Sequence, residues 1–190
     1  FRQIKMKQKI NLYSVYCAYS SLNKDLFNSY LKFHDTIIKE NEIDDLINLV
    51  KALLKPRLAK YRAFEYFSFG FTIPQIGKEF DLLRFGKESI INIELKNNST
   101  QEKIKNQLIK NKYYLKFLNL DLHLFSYVAK ENTLYKLNED DEITIVKPDL
   151  LIELLNDQHV NVDINISDIF NPSDFLVSPF NSTEKFISNE

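Results

Sequence analysis

The chain has 190 residues, 25 of them basic and 26 acidic, and 44% are hydrophobic, a size and balance that suit one globular domain with its own core. No apolar run approaches the roughly 18 residues needed to cross a bilayer, and the near-zero net charge of -1 gives no global steering toward nucleic acid. Cys17 stands alone, which excludes an internal disulfide and a cysteine-rich zinc site, while three glycines are too few for a phosphate-cradling loop. His34, His123 and His159 are too dispersed for the close spacings that metal-binding histidines favour. The chain opens at Phe1 without a basic segment leading to a small-residue cleavage site, so no secretion signal is read and a reducing, cytoplasmic location is expected.

In chain order, residues 10–19 carry Ile10, Leu12, Val15 and Tyr16 and suggest a strand. Leu26, Tyr30, Phe33 and Ile37 then recur at helical spacing and predict an amphipathic helix from Leu22 to about Glu40. A second helix, with Asp44 or Asp45 near its start and Leu46, Leu49, Val50 and Leu53 on one stripe, runs to Pro56. A third is expected over residues 57–68, closing at Gly70 and carrying Glu65 on its last turns.

Three strands follow, Phe71–Ile76, Glu79–Phe85 and Ser89–Lys96, separated by Gly77-Lys78 and Gly86-Lys87. Thr100 or Ser99 caps a helix to about Asn119, with Ile104, Leu108, Leu115 and Leu118 as its apolar stripe. Strands over 122–128, 133–137 and 142–146 come next, and Pro148 opens a helix through about Leu155. From Asn156 onward the periodicity fades. The class is α/β, and the order is helices, three strands, a helix and further strands.

The chemistry concentrates in the third strand of that meander. Its side chains alternate, so Ile91, Ile93 and Leu95 face one way while Asn92, Glu94 and Lys96 face the other. With Gly86-Lys87 as a two-residue turn, Asp81 falls opposite Asn92 and becomes the diagonal neighbour of Glu94. Two carboxylates at that separation suit a shared magnesium ion, a hard cation that keeps several waters, with Lys96 beside it to position a nucleophile. On the residues alone, the same alternation also fits the wet face of a half-buried hairpin.

Asp81-Leu82-Leu83 followed by Ile91-Asn92-Ile93-Glu94-Leu95-Lys96 resembles the signature of the PD-(D/E)XK nuclease family, and the order of elements from residue 57 to residue 128 is similar to that family's core. The resemblance implies a restriction-endonuclease-like core over residues 57–155, flanked by an N-terminal strand and helical extension (1–56), extra C-terminal strands and a linker or docking tail (156–190). It implies a metal-dependent deoxyribonuclease using Mg2+ or Mn2+, in which Asp81, Glu94 and the Leu95 carbonyl hold the metal and Lys96 assists the attacking water. Glu65 is similar to the family's helix acid, although structural glutamates on helix turns are also common. Gln107 resembles the glutamine of helicase-associated members, whose tyrosine four residues on is here Asn111.

On the helix after the motif, Lys103, Gln107, Lys110 and Tyr114 form one polar edge, which fits either a phosphate-backbone contact or a solvated helix face. The tail around Asn171–Asn181 looks like a junction toward another module. Similar proteins place such a domain before a helicase or ATPase motor, in DNA repair or phage defence. A binding module that keeps the fold without turnover, or a ribonuclease, are the competing readings.

Overall fold

Asn11 and Asn23 each accept a backbone N–H three residues on, from Ser14 at 3.0 Å and Leu26 at 2.9 Å, the contact by which an N-cap starts a helix. In the computed structural model, which describes residues 9–73, 76–165 and 169–170, these caps open α1 (Leu12–Ser21) and α2 (Lys24–Phe33). The strand expected over residues 10–19 is therefore a helix, with Leu12 and Val15 buried three residues apart. Only Ile10 pairs, in an isolated bridge to Phe67. The single helix expected from Leu22 to Glu40 stops at Phe33, Asp35 turns to a φ of 48°, and α3 begins at Glu40 (Glu40–Leu54).

The helix expected over residues 57–68 is reduced to one 3-10 turn, Tyr61–Phe64, after which Glu65 is extended. The backbone then enters β1 (Ser68–Thr72), whose bounds precede the expected Phe71–Ile76, followed by β2 (Glu79–Phe85) and β3 (Ser89–Lys96) as expected. Thr100 accepts the Lys103 N–H at 3.3 Å and caps α4 (Gln101–Leu115). A 3-10 turn, Lys116–Leu118, and a left-handed Asn119 end this helix before the expected Asn119 boundary. The chain closes through β4 (Asp121–Val128), β5 (Thr133–Leu137), β6 (Ile143–Val146) and α5 (Pro148–Asp157), with Pro148 where a missing N–H costs nothing.

The six strands form one sheet in chain order, antiparallel throughout except for β3 and β4. A parallel pair needs a crossover, and α4 is that crossover. The fold is α/β. Both faces of the central strands are covered: Ile91 and Ile93 pack with Leu12, Leu46, Leu49, Leu53 and Leu151 from α1, α3 and α5. Across the sheet, Leu83 and Ile90 pack with Ile104, Leu108 and Leu115 of α4. The N-terminal helices, expected as an extension, thus share one core with β3. Among the described residues no helix is long and apolar enough to cross a membrane.

The β2–β3 connection corrects the expected register. Phe85 pairs with Ile90, not with Glu88, because the turn takes four residues, closed by Gly86 N–H donating to Ser89 O at 2.8 Å. Residues expected as linker hold it there. Gln158 donates to Ser89 O at 3.1 Å and Arg84 O at 3.3 Å, and Lys87 N–H donates to His159 O at 2.8 Å. Gly86 is required at this approach, since a Cβ there would lie 2.7 Å from Gln158 Cγ. The expected junction over residues 171–181 lies outside the described residues.

Arg84 ties the same corner together from inside. It is 1% exposed, and its guanidinium donates to Glu65 O at 2.9 Å, Leu155 O at 2.7 Å and Arg62 O at 2.7 Å. Burial, with Arg62 adding to it, lowers its pKa to about 10, so it stays charged at neutral pH. Arg84→Ala strands three carbonyls and leaves a cavity, and should cost about 3 kcal/mol or more in urea unfolding. A loss below about 1 kcal/mol would show that the three bonds do not hold the corner.

Candidate active site

The β2–β3 ladder ends at Leu82↔Ile93, and Asp81 and Glu94 are the next residues outward on the two strands, near enough for the Glu94 charge to act on Asp81. Asp81 Oδ2 accepts the Leu95 N–H at 2.8 Å, which fixes its side chain against β3. Leu95, expected to offer its carbonyl to a metal, contributes this N–H.

Glu94 is 1% exposed, and Asn92 and Asn111 beside it are fully buried. Asn92 Nδ2 donates to Glu94 Oε1 at 3.1 Å and to Leu82 O at 3.0 Å. Asn111 Nδ2 donates to Glu94 Oε1 at 2.8 Å and to Asn92 Oδ1 at 2.7 Å, while Gln107 Nε2 donates to Glu94 Oε2. All three donors are neutral amides. Asn111 Oδ1 and Ser126 Oγ are buried without a hydrogen-bond partner among the described residues, and Ser126 stands level with Glu94 on β4. Unsatisfied polar atoms beside a buried carboxylate are costly in an ordinary core.

No ion pair among the described residues includes Asp81 or Glu94. Burial and the facing Glu94 charge push the Asp81 carboxyl up to about 7, against the opposing pull of the Leu95 N–H and Lys96. Lys39, Lys78 and Lys96 act on this centre at longer range, and Lys110 acts on Lys78. Burial depresses the Lys78 ammonium, which Glu94 and Asp81 resist and Lys110 and Lys96 reinforce. Lys39, just before α3, also feels Asp81 and bonds mainly to Glu42 at 3.1 Å.

α3 supplies two acids that the sequence pattern left unassigned. Asp45 is buried and accepts from Asn97 Nδ2 at 3.2 Å. Burial raises its carboxyl above the ordinary range, and Lys96 lies close enough to oppose that rise. Glu42, one turn earlier, adds to the repulsion felt by Asp81. Glu65 is elsewhere. Its carbonyl accepts from Arg84 Nε at 2.9 Å, and Arg84 is the charge it acts on.

On α4, Gln107 reaches Glu94, while Lys103 and Lys110 are exposed. Tyr114 is half-buried against the α4-side core and lies edge-on to Tyr113, ring centroids 5.3 Å apart. The structure brings together Asp81, Glu94, Leu95 and Gln107, with Lys96 within electrostatic reach, and leaves Glu65 apart. Lys78, Asn92, Asn111, Asp45 and Glu42 are the additions. Asn111 was legible only as a departure from a tyrosine, and Lys78 only as a turn residue.

The donor set fits a hard divalent cation. A buried Glu94 and a half-buried Asp81 lie together outside any ion pair among the described residues, and magnesium sites that also handle phosphate need only one or two carboxylates. Among the described residues there is no group of three or more His, Cys, Asp or Glu side chains suited to a metal. No family model matches the chain, and neither curated proteins nor solved structures give a match. The family expectation therefore rests on the residues and their geometry.

The raised Asp81 pKa has a sign that can be tested without any cation. A carboxyl lifted from 3.8 to about 7 on folding contributes stability that is fully present below pH 3.8 and is lost as pH rises through 7. Three pH units at 1.36 kcal/mol each set an upper bound of about 4 kcal/mol. Asp81→Asn, measured with chelator present, should therefore melt above wild type at pH 8, by roughly 2–4 °C per kcal/mol in a domain of this size. The gap should narrow toward pH 5. Equal melting temperatures at pH 8 would mean that folding does not raise the Asp81 carboxyl.

Proposed function

We propose that this chain is a metal-dependent nuclease that hydrolyses DNA phosphodiester bonds, built on a restriction-endonuclease-like core of the PD-(D/E)XK type. One observation carries the reading: Asp81 and Glu94 stand next to the last β2–β3 pair and act on each other, neither has an ion-pair partner among the described residues, and Lys96 follows two residues on. The element order supports it. A helix (α3), the β1–β3 meander, the α4 crossover and the parallel strand β4 occur in the sequence that the family resemblance implies, with α3 in the place first assigned to residues 57–68.

In this reading Asp81 and Glu94 hold Mg2+ or Mn2+, which when bound supplies positive charge at the scissile phosphate and acidity to water. The chain's own residues do the rest. Glu94 is kept in one orientation by amides, so its carboxylate needs no reorganisation at the moment of reaction. Lys96, at the end of β3 and within reach of Asp81 and Asp45, would supply an ammonium to assist the attacking water. Lys78, within reach of both carboxylates, and Lys110, within reach of Lys78, would offer cations to a phosphate backbone, a local grip that the nearly neutral chain otherwise lacks.

Glu94→Gln and Lys96→Ala should each lower magnesium-dependent cleavage of single-stranded and duplex DNA by about 10²-fold or more, with urea midpoints that leave the fold intact. The assay uses labelled oligonucleotides, with matched RNA as a comparison. If wild type with Mg2+ or Mn2+ cuts no DNA, or if both variants cut as well as wild type, the nuclease reading is wrong.

A further inference from the structure

A carboxylate offers about four lone-pair positions, and three of those on Glu94 are already filled. Oε1 takes both Asn92 Nδ2 and Asn111 Nδ2, and Oε2 takes Gln107 Nε2. Asn92 and Asn111 also bond to each other, at 2.7 Å. The Asn92 amide is held further by Leu82 O at 3.0 Å, and both residues are fully buried. Neither side chain can turn away from Oε1 without stranding a polar group in the core. On the facing strand, Asp81 Oδ2 is taken by the Leu95 N–H.

We infer that Asn92 and Asn111 are positioning residues that make Glu94 a one-oxygen ligand and so select a small octahedral cation over calcium. The inference rests on the proposed cation site between Asp81 and Glu94, and goes beyond it by assigning the selectivity to two asparagines. With Oε1 closed by two amides, Glu94 can give a cation only Oε2, while Asp81 keeps Oδ1 and one lone pair on Oδ2. A one-oxygen Glu94 leaves most of the coordination sphere to water and phosphate. Magnesium and manganese accept that arrangement, whereas calcium takes six to eight oxygens and is served best by bidentate carboxylates.

The amide pair also separates Asn111 from Gln107. Gln107 donates to the oxygen that remains open, and Asn111 to the oxygen that is closed. Removing Asn111 frees a lone pair on Oε1 and allows a two-oxygen grip. Removing Gln107 does not.

The test is calorimetric titration of the purified chain with Mn2+ and with Ca2+, separately and without nucleic acid, so that its readout is not activity. Wild type should bind Mn2+ at least about tenfold more tightly than Ca2+. Asn111→Ala and, independently, Asn92→Ala should narrow that ratio by about tenfold, the usual scale for residues that orient a metal ligand. Gln107→Ala and the exposed α4 control Asn106→Ala should leave it near the wild-type value, and melting curves establish that each variant is folded. Folded Asn111→Ala or Asn92→Ala with an unchanged ratio would overturn the selectivity assignment and leave the cation site standing. Wild type that binds Ca2+ as tightly as Mn2+ overturns it even if neither variant folds. Wild type that binds neither ion overturns the cation site, and this inference with it.

Discussion

Two carboxylates, the buried Glu94 and the half-buried Asp81, stand together beside the last β2–β3 pair, and much of the surrounding structure is arranged about them. Asp81 and Glu94 have no guanidinium or ammonium within ion-pair reach among the described residues. A fold that wanted only stability would place apolar side chains at these positions, because a buried charge is costly unless paired. Here the charges are kept and surrounded by neutral donors. The solvation that water would have supplied comes from amide dipoles fixed on β3 and α4.

The sheet makes this possible through one topological choice. β3 and β4 are parallel, so the chain must cross between them, and the crossover helix lies directly over the face of β3 that carries Asn92 and Glu94. Its apolar residues Ile104, Leu108 and Leu115 anchor it to the strands, while Gln107 and Asn111 point into the polar strip between them. The opposite face is sealed by α3 and α5, and α3 adds Asp45 and Glu42 at the edge of the centre. Lysines appear only at the rim, where their stems can be partly buried and their ammonium groups still meet water.

Local patterns made the central hairpin legible. β2, β3 and β5 have the bounds that alternation and turn residues suggest, and Thr100 and Pro148 mark their helices because capping is a short-range effect. The readings that failed depend on distant contacts. Whether Gly86-Lys87 makes a two-residue or a four-residue turn is decided by Gln158 and His159, some seventy residues on in the chain. Residues 10–19 have enough apolar β-formers for a strand, yet the Asn11 cap and the burial of Leu12 with Val15 give a helix. Asn92 fitted the wet face of a half-buried hairpin, because burial on both faces of β3 cannot be read from alternation. Glu65 was placed by a helix that tertiary contacts through Arg84 replace with extended backbone.

The position of α4 between β3 and β4 also bears on the order in which the molecule is built. The β1–β3 meander can form from near neighbours in the chain, and it brings Asp81 near Glu94 at once. The amides of α4 reach Glu94 only when the crossover folds down, and that same step lets β4 find β3, a pairing that closes a loop of about thirty residues and carries the entropy cost of doing so. Until then a nascent sheet holds two adjacent carboxylates open to water. Completion of the parallel pair and maturation of the centre are therefore one event, so a half-built chain has the acids of the site without their orientation.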